Sequence, residues 1–303
     1  MPARFGGCSE SKWDTSPKAF SYGVWRILEG IDGDPSEVIR KRIEFCLELG
    51  ITTFDHADIY GDYECEAAFG KVLKDVPSLK SQIQVVTKAG IKLKSAKFPD
   101  RQVKSYDTSY KYLIQAAEKS LQTLSLDVID LFLIHRPDPY MNLQETGAAL
   151  NELVSSGKVR AVGVSNFRPD QVTYLNRELS QPLAANQIEL SVLAQDPLWD
   201  GTLDQCQSLK MLPMVWSPLA GGALFKDDHK PVRSELELIA EKYQCDVATL
   251  ALAWLMNHPS KPIPIIGSNQ RSRIHTLATA RNIELERDDW YKILELGAGR
   301  EVP

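Results

Sequence analysis

The sequence predicts a single-domain α/β protein of the (β/α)8 barrel class, the TIM-barrel architecture, on three observations. Eight short apolar runs rich in β-branched residues alternate with amphipathic stretches along almost the whole chain, a pattern typical of βαβ units around a parallel sheet. The eight units span roughly 250 residues, the usual length of such a barrel. No G-x-G-x-x-G motif follows the first run, which disfavours the rival architecture, a doubly wound dinucleotide-binding sheet.

The apolar runs predict eight strands in chain order. They cover residues 20–27, 51–57, 83–90, 128–135, 159–166, 185–191, 213–220 and 263–268. Helices are predicted where apolar residues return at helical spacing, over residues 35–50, 64–75, 109–124, 145–157, 234–244 and 269–281. No low-complexity linker divides the chain, so we predict an N-terminal segment over 1–19 and one barrel domain over 20–303.

Composition excludes several classes of protein. The 303 residues are 43% hydrophobic and 25% charged, with a net charge of -5 and scattered lysines and arginines; these are globular values without a basic patch for nucleic acid or an anionic membrane. There is no apolar run long enough for a membrane span or a signal peptide, so a cytoplasmic location and no membrane partner are predicted. The five cysteines lie far apart without a C-x-x-C pair, which disfavours a disulfide framework or a cysteine zinc site.

Polar residues end several predicted strands, where a barrel carries its chemistry. Asp55 closes the second strand and Tyr60 follows it, Lys88 ends the third and His135 the fourth. Taken singly, each has a structural explanation: a salt-bridged lysine, a hydrogen-bonded core histidine or a packed tyrosine. Together, an acid, a lysine, a histidine and a tyrosine from three consecutive strand ends can hold and tune one proton donor.

Seven motifs in the same order give the chain a family resemblance. They are F-D-H-A-D-I-Y-G-x-Y-E-C-E, V-V-T-K, L-F-L-I-H-R-P-D-P, G-V-S-N-F, N-Q-I-E-L-S, W-S-P-L-A-G-G and I-P-I-I-G-S. Together they resemble the aldo-keto reductase superfamily, in particular its bacterial oxidoreductase branch, which is related to the potassium-channel β-subunits. The resemblance extends from about residue 20 to residue 297. It implies a (β/α)8 barrel that reduces aldehydes or ketones, small-molecule carbonyl substrates, with NADPH.

The resemblance places a catalytic tetrad on Asp55, Tyr60, Lys88 and His135. Hydride arrival at a carbonyl carbon leaves an alkoxide, which needs a proton donor within hydrogen-bond reach. Tyr60 is expected to supply the proton, and the Lys88 ammonium, held by Asp55, to move its pKa toward working pH. His135 is expected to orient the carbonyl in its neutral form.

The resemblance also implies the residues that contact the cofactor. Ser165, Asn166 and Gln187 are expected to hold the nicotinamide carboxamide, Trp216 to stack on the ring and Arg273 to bind the adenosine 2′-phosphate, with Arg271 as a helper. The remaining predicted contacts are Gly23, Val24, Trp25, Asp55, Ser217, Leu219, Ala220, Gly221, Gly267, Ser268 and Asn269.

Some positions depart from the family pattern or leave the pocket open. Gly267 stands where many members carry a lysine, and Thr276 and Leu277 where a Glu-Asn pair often grips the adenine. The long links 91–108 and 221–233 are either lids or plain surface loops. Trp25, Tyr63, Phe167 and Trp199 are candidate walls of the substrate pocket.

Three alternatives stay open at this point. The first is an NADPH-binding regulatory or redox-sensing partner subunit with little turnover. The second is a metal-dependent barrel hydrolase with ligands among Asp55, His56, Asp58 and His135, although His56 and Asp55 alternate to opposite sides of a strand. The third uses Lys88 as the Schiff-base nucleophile of an aldolase-type barrel.

Overall fold

The structure, a computed structural model, describes residues 20–303 and contains a closed barrel of eight parallel strands. The predicted N-terminal segment 1–19 and Cys8 lie outside the described residues. The strands are β1 (Ser21–Gly23), β2 (Thr53–Asp55), β3 (Gln84–Ala89), β4 (Ile91–Lys92), β5 (Ser105–Tyr106), β6 (Ile129–Ile134), β7 (Val159–Ser165), β8 (Ala185–Glu189), β9 (Leu212–Trp216) and β10 (Ile263–Ile266). The barrel order is β1-β10-β9-β8-β7-β6-β3-β2, which confirms the predicted fold class.

Helices surround the barrel. They are α1 (Ser36–Glu48), α2 (Tyr60–Tyr63), α3 (Cys65–Asp75), α4 (Tyr110–Leu124), α5 (Leu143–Ser155), α6 (Pro169–Asn176), α7 (Thr202–Leu209), α8 (Lys230–Lys242), α9 (Val247–Met256), α10 (Arg271–Ala278) and α11 (Arg287–Ala298). Side-chain caps fix several N-termini, for example Ser109 before α4, Asn142 before α5 and Asp246 before α9, each satisfying a backbone N–H of the first turn.

Each predicted strand overlaps a barrel strand, and the six predicted helices overlap α1, α3, α4, α5, α8 and α10. The observed strands are shorter, because the apolar runs continue past the last ladder hydrogen bond into the loops. Helices α2, α6, α7, α9 and α11 were not predicted. Helix α9 is buried at nine of its ten residues, so it has no polar face and no helical period to detect.

The barrel interior is packed by side chains rather than open. Val86, Leu131, Leu133, Met214 and Ile265 form an inner cluster and are nearly inaccessible to solvent. Burying one such side chain contributes about 1.5–3 kcal/mol. This layer closes the barrel below the strand ends, and the polar residues stand above it.

The two long links, predicted as lids or as plain surface loops, contain short regular elements. Residues 91–108 include an antiparallel hairpin of β4 and β5. Lys97 ties this link to the carbonyl oxygen of Asp62 at 2.6 Å, and Arg101 donates to the Tyr63 hydroxyl at 2.8 Å. Residues 221–233 contain 3₁₀ turns and the start of α8. Both links therefore contain regular secondary structure, and their role as lids stays a prediction.

Of the helices within residues 20–303, none has the length and apolar character that crossing a membrane requires.

Candidate functional site

A cavity of about 670 Å³ opens at the carboxyl ends of the barrel strands. Most of the site residues predicted from the sequence line it. They are Trp25, Asp55, Tyr60, His135, Ser165, Asn166, Gln187, Trp216, Ser217, Leu219, Gly221, Gly267, Ser268, Asn269 and Arg273. Lys88 lies behind this wall and is fully buried.

Lys88 and Asp55 form a buried ion pair at the base of the cavity. Lys88 Nζ lies 2.8 Å from each carboxylate oxygen of Asp55 and donates to the carbonyl oxygen of His56 at 2.6 Å. These contacts hold the ammonium in place, and its charge and hydrogen bonding also act on Tyr60. Burial is the largest single influence and acts to lower the pKa of Lys88, but the charges of Asp55 and Tyr60 and their hydrogen bonds together outweigh it, so the pKa lies above its ordinary value. Lys88 is therefore a fixed positive charge.

Tyr60 stands between this cation and His135. Lys88 Nζ lies 5.0 Å from the centre of the Tyr60 ring, and the rings of Tyr60 and His135 meet edge to face with centroids 5.9 Å apart. Burial raises the pKa of Tyr60, while the charge of Lys88 acts in the opposite direction. The prediction that Lys88 moves the pKa of Tyr60 toward working pH therefore needs correction: burial outweighs the charge of Lys88, the pKa lies above its ordinary value, and the hydroxyl keeps its proton at neutral pH.

His135 follows the last residue of β6 and is 8% exposed. Burial, together with the positive charges of Lys88, Arg136 and Lys104, holds its pKa well below the ordinary value. The imidazole is therefore neutral at physiological pH, which agrees with the form that the predicted role requires. A neutral imidazole can donate one hydrogen bond to a carbonyl oxygen without adding a second cation beside Lys88.

A continuous hydrogen-bond network joins the strand ends of β7, β8 and β9. Trp216 Nε1 donates to Asn166 Oδ1 at 2.9 Å, and Asn166 Nδ2 donates to Ser165 Oγ at 2.7 Å. Ser165 Oγ donates to the Gln187 carbonyl oxygen at 3.0 Å, and Gln187 Nε2 donates to Asp55 Oδ1 at 2.7 Å. Asn166 adopts a left-handed backbone with φ of 63°, a strained conformation that is typical of functional sites. The network links this wall to the buried ion pair.

The turn from β10 to α10 is built around Asn269. Its side chain accepts from Arg42 at 2.7 Å and from the Tyr22 hydroxyl at 3.2 Å, and it donates to the carbonyl oxygen of Arg26 at 2.7 Å. The side-chain amide of Asn269 therefore holds the turn in place, and the residue is among those that line the cavity. Its contact with the cofactor stays a prediction.

Gly267 is explained by a close approach of Trp25. A Cβ atom at residue 267 would lie 2.6 Å from Nε1 of the Trp25 indole, which no side chain could tolerate without displacing the ring. The absence of the lysine that many family members carry here is therefore linked to the position of Trp25.

Arg273 and Arg271 differ in their surroundings. Arg273 lines the cavity and makes no hydrogen bond or salt bridge with another described residue. Arg271 packs over the Phe45 ring at 4.2 Å and lies 4.0 Å from Glu48. The helper role predicted for Arg271 is thus disfavoured, because its side chain is directed to α1.

Several predicted residues lie away from the cavity wall. Gly23 is the last residue of β1 and Val24 is fully buried in the core, so only Trp25 of this trio reaches the cavity. Ala220 starts a 3₁₀ turn with φ of 52° and does not line the cavity either. Phe167 is a core residue with 3% exposure.

Tyr63 and Trp199 also lie off the cavity wall. Tyr63 packs against Phe98 with ring centroids 4.9 Å apart, and Trp199 is 53% exposed.

A family model described as the Aldo/keto reductase family matches residues 20–298. The chain belongs to the aldo/keto reductase family. It is 43% identical to a 6-dehydroglucose reductase of Agrobacterium fabrum over 93% of this chain and 94% of the relative. It is 42% identical to Oxidoreductase YdhF of Escherichia coli over 94% of this chain and 95% of the relative. A more distant relative, 27% identical, is a putative voltage-gated potassium channel subunit beta of Schizosaccharomyces pombe, with 90% and 86% covered.

Solved structures of aldo-keto reductases share the fold. The thermostable aldo-keto reductase Tm1743, solved with the inhibitor epalrestat, superimposes with a TM-score of 0.78 at 26% identity, over 93% of this chain and 95% of that chain. The aldo-keto reductase of Klebsiella pneumoniae, solved in complex with NADPH, has a TM-score of 0.74 at 25% identity, over 92% and 90%.

The cavity of this aldo-keto reductase has features that fit a phosphorylated dinucleotide. Gln187 Oε1 accepts no hydrogen bond from the described residues, so it is free to receive one from a carboxamide. A Cβ at Gly221 or Gly222 would meet nothing within 4 Å, which leaves the turn open to the ligand. Arg273 offers a guanidinium that has no partner among residues 20–303 and is suited to a phosphate.

The geometry disfavours the metal and Schiff-base alternatives. The His56 ring packs edge to face on Phe69 of α3, with centroids 4.5 Å apart, while the Asp55 carboxylate binds Lys88 and Gln187. These two side chains therefore do not converge on one ion. Within residues 20–303, no group of three or more candidate ligands could hold a metal. Lys88 is held as an ammonium, which is not a nucleophile.

Ten cavity residues were not assigned from the sequence. They are Arg26, Glu29, Arg136, Pro218, Gly222, Phe225, Ile265, Ile266, Gln270 and Leu277. Pro218 and Gly222 belong to the W-S-P-L-A-G-G motif, and Arg136 directly follows His135 in L-F-L-I-H-R-P-D-P. Ile265 and Ile266 belong to I-P-I-I-G-S, so the motifs carried a signal for these five residues.

Proposed function

We propose that this aldo-keto reductase reduces aldehydes or ketones to alcohols with NADPH, and that Asp55, Tyr60, Lys88 and His135 are its catalytic residues. One observation carries the proposal: Lys88, held by both carboxylate oxygens of Asp55, lies 5.0 Å from the ring of Tyr60, which meets His135 at the cavity wall. The relatives named as a reductase and an oxidoreductase support the reaction class.

Tyr60 is the proton donor in the proposed mechanism. When bound, NADPH supplies a hydride to the carbonyl carbon. The Tyr60 hydroxyl gives its proton to the carbonyl oxygen, and the charge of Lys88 stabilises the phenolate that remains. Asp55 keeps Lys88 charged and in place. The neutral His135 orients the carbonyl oxygen by a hydrogen bond, so that the oxygen stays within reach of Tyr60.

Other cavity residues would hold the cofactor. Ser165, Asn166 and Gln187 would bind the carboxamide, and Trp216 would stack on the nicotinamide ring. The pyrophosphate would lie along the turn that includes Ser217, Leu219 and Gly221, and Arg273 would bind the 2′-phosphate, because a guanidinium binds two phosphate oxygens at once.

A regulatory partner subunit with little turnover is not favoured. The relatives at the highest identities given above carry enzyme names, and the potassium-channel relative is more distant at 27% identity. The cytoplasmic location stays a prediction from the sequence.

Cofactor binding and turnover test this proposal separately. We expect NADPH to quench tryptophan fluorescence saturably in the wild type and much less in Trp216→Phe. Replacement of Arg273 by Gln should raise the Kd for NADPH by about tenfold, by loss of charged hydrogen bonds, and leave the Kd for NADH unchanged, with Arg271→Gln as the matched control. NADPH consumption with a panel of aldehydes and ketones tests the reaction. Absence of both binding and turnover would refute the proposal.

A further inference from the structure

Arg136 is a half-buried cation of the cavity and has no acidic partner in the part of the chain that the structure describes. Its guanidinium carbon lies 5.3 Å from the centre of the Trp216 ring, and the side chain lines the same cavity as Tyr60 and His135. Among residues 20–303, no hydrogen bond or salt bridge joins Arg136 to a carboxylate. A cation that has lost part of its water without gaining an anion is costly, and stacking on an aromatic ring offsets only part of that cost.

Two other cations of this region, Lys88 and Arg26, already have acidic partners. Lys88 binds both oxygens of Asp55. Arg26, also on the cavity wall, packs over the Trp25 ring at 4.0 Å and lies 3.7 Å from Glu29. Arg273 lacks a partner as well, but the proposed function assigns it to the 2′-phosphate of the cofactor. Arg136 is thus a second unpaired guanidinium, beside the residues that are proposed to activate the carbonyl.

The charges around His135 favour a negatively charged ligand. The positive charges of Lys88, Arg136 and Lys104 all act on its imidazole. The nearby carboxylates are occupied: Asp55 by Lys88 and Gln187, and Asp138 by the Thr108 hydroxyl at 3.1 Å and the Tyr140 amide at 2.8 Å. Glu29, the other acidic residue on the cavity wall, lies 3.7 Å from Arg26, so none of the acidic side chains among residues 20–303 is paired with Arg136.

We propose that Arg136 is the anion-binding residue of the substrate pocket, and that the preferred substrates are carbonyl compounds that carry a carboxylate, phosphate or similar oxyanion. The planar guanidinium fork matches two oxygens of such a group. The anionic group takes no part in the bond changes, which remain hydride addition to the carbonyl carbon and proton transfer to its oxygen. The proposal rests on the proposed function, because it assigns the substrate of the same site.

Pairs of substrates that differ in charge test the preference. para-Carboxybenzaldehyde and para-formylbenzamide have nearly the same shape, and only the first is an anion. Glyceraldehyde 3-phosphate and glyceraldehyde provide a phosphate pair and a neutral, hydroxyl-rich aldehyde. We expect kcat/KM of the wild type to favour the anion in at least one pair by about tenfold or more, the size of a charged hydrogen-bond pair. The pair that shows it identifies the carboxylate or the phosphate as the preferred group.

Variants of Arg136 assign that preference to its guanidinium. Arg136→Met should lower kcat/KM for the anion, chiefly through KM, and leave the neutral aldehyde and the Kd of NADPH within about twofold, since no charged hydrogen bond to either is lost. Arg136→Lys keeps the charge but not the planar guanidinium, so its kcat/KM for the anion should fall between those of the wild type and Arg136→Met. It replaces the Met variant if that variant does not fold. Arg168→Met is the control, because Arg168 lies on the surface and is paired with Asp170 at 3.0 Å.

Benzoate binding provides a readout without turnover. Calorimetry of benzoate with the NADP-loaded protein should give a Kd about tenfold lower for the wild type than for Arg136→Met, with benzamide as the neutral control. If no carbonyl is reduced but benzoate binding depends on Arg136, the proposed function fails and the anion site stands.

Three outcomes would overturn the anion site while the reductase stands. The first is turnover without any preference for the anion in either pair. The second is equal dependence of glyceraldehyde and its phosphate on Arg136, which would mean that the guanidinium binds hydroxyl groups. The third is a weakened Kd for NADPH in Arg136→Met, which would place the residue in the cofactor site.

Discussion

At the residue scale, burial decides the protonation state of His135. Its pKa is lowered by burial and by Lys88, Arg136 and Lys104, so the folded protein keeps the imidazole neutral well below the ordinary titration range. The same burial keeps Tyr60 protonated against the charge of Lys88. The proposed proton donor and the residue beside it are therefore both neutral under the same conditions.

This neutrality predicts a flat pH profile on the acid side. Between about pH 5.5 and about pH 8, kcat/KM for reduction of a neutral aldehyde should not show the titration of a histidine near its ordinary pKa. Steady-state kinetics over this range provide the measurement, and His135→Gln, which cannot titrate, is the comparison. A change of kcat/KM near pH 6.5 that is present in the wild type and absent in His135→Gln would contradict the conclusion that His135 is neutral over this range.

The sequence alone identified many residues of the cavity, but not the side chains with which they interact. The motif around His135 contained Arg136. The sequence could not show that no carboxylate pairs with this guanidinium, because that depends on where Asp55 and Asp138 direct their oxygens. Phe167 lies next to Asn166 in the chain and yet is a core residue, because neighbouring residues leave a strand end in different directions.

At the element scale, helix α1 fixes the turn that follows β10. Arg42 on α1 donates to the side-chain oxygen of Asn269 at 2.7 Å and to its carbonyl oxygen at 3.1 Å. The sequence indicates a turn here, but it cannot show that a residue more than two hundred positions earlier holds it.

Removal of the Arg42 side chain should loosen this turn. We expect Arg42→Met to raise the Kd for NADPH by about five- to thirtyfold, from the loss of hydrogen bonds worth about 1–2 kcal/mol, with kcat at saturating NADPH nearly unchanged. Arg40→Met is the matched control, because Arg40 binds Glu37 and Glu44 on the same helix. A fluorescence titration measures the Kd. An unchanged Kd, or a loss of kcat alone, would show that α1 does not support the cofactor site.

Strands were easier to predict than helices for a physical reason. Barrel strands lie between the packed interior and the helix layer, so they appear as continuous β-branched runs. Helices with a mixed exposure, such as α4, show the helical period. The helical period is not visible in α9, whose sequence VATLALAWLM is almost wholly buried. It is not visible in the short helices α6 and α7 either.

At the scale of the whole molecule, the buried His56 links stability to pH. Its ring is inaccessible, has no hydrogen-bond partner among the described residues, and burial with the charge of Lys88 lowers its pKa to about 3. Below the ordinary pKa of 6.5, the unfolded chain binds a proton at this residue and the folded chain does not. The free energy of unfolding therefore falls as the pH falls through this window.

The substitution His56→Leu should remove that contribution. Between about pH 7 and about pH 5, the wild type should lose about 2 kcal/mol more than His56→Leu in the free energy of unfolding. Urea unfolding at both pH values measures the difference. The exposed His275, replaced by Asn, is the control and should follow the wild type. Equal losses in the wild type and His56→Leu would mean that His56 is protonated in the folded state.

The architecture as a whole was predictable because it depends on repetition. Eight βα units in sequence specify a closed barrel whatever the exact ends of each strand, and strand-end residues then meet at one face. The shape of the cavity was not predictable, because it depends on contacts such as that of Trp25 against Gly267.

The central claim is that Tyr60 donates the proton within a cavity that binds NADPH. Its most direct test is Tyr60→Phe, with kcat for reduction and the Kd for NADPH measured on the same preparation. The account predicts that kcat falls by about a hundredfold or more, the size of a lost general acid, while the Kd stays within about twofold because no cofactor contact is removed. Retained turnover in Tyr60→Phe, or turnover that recovers at saturating NADPH, would contradict it.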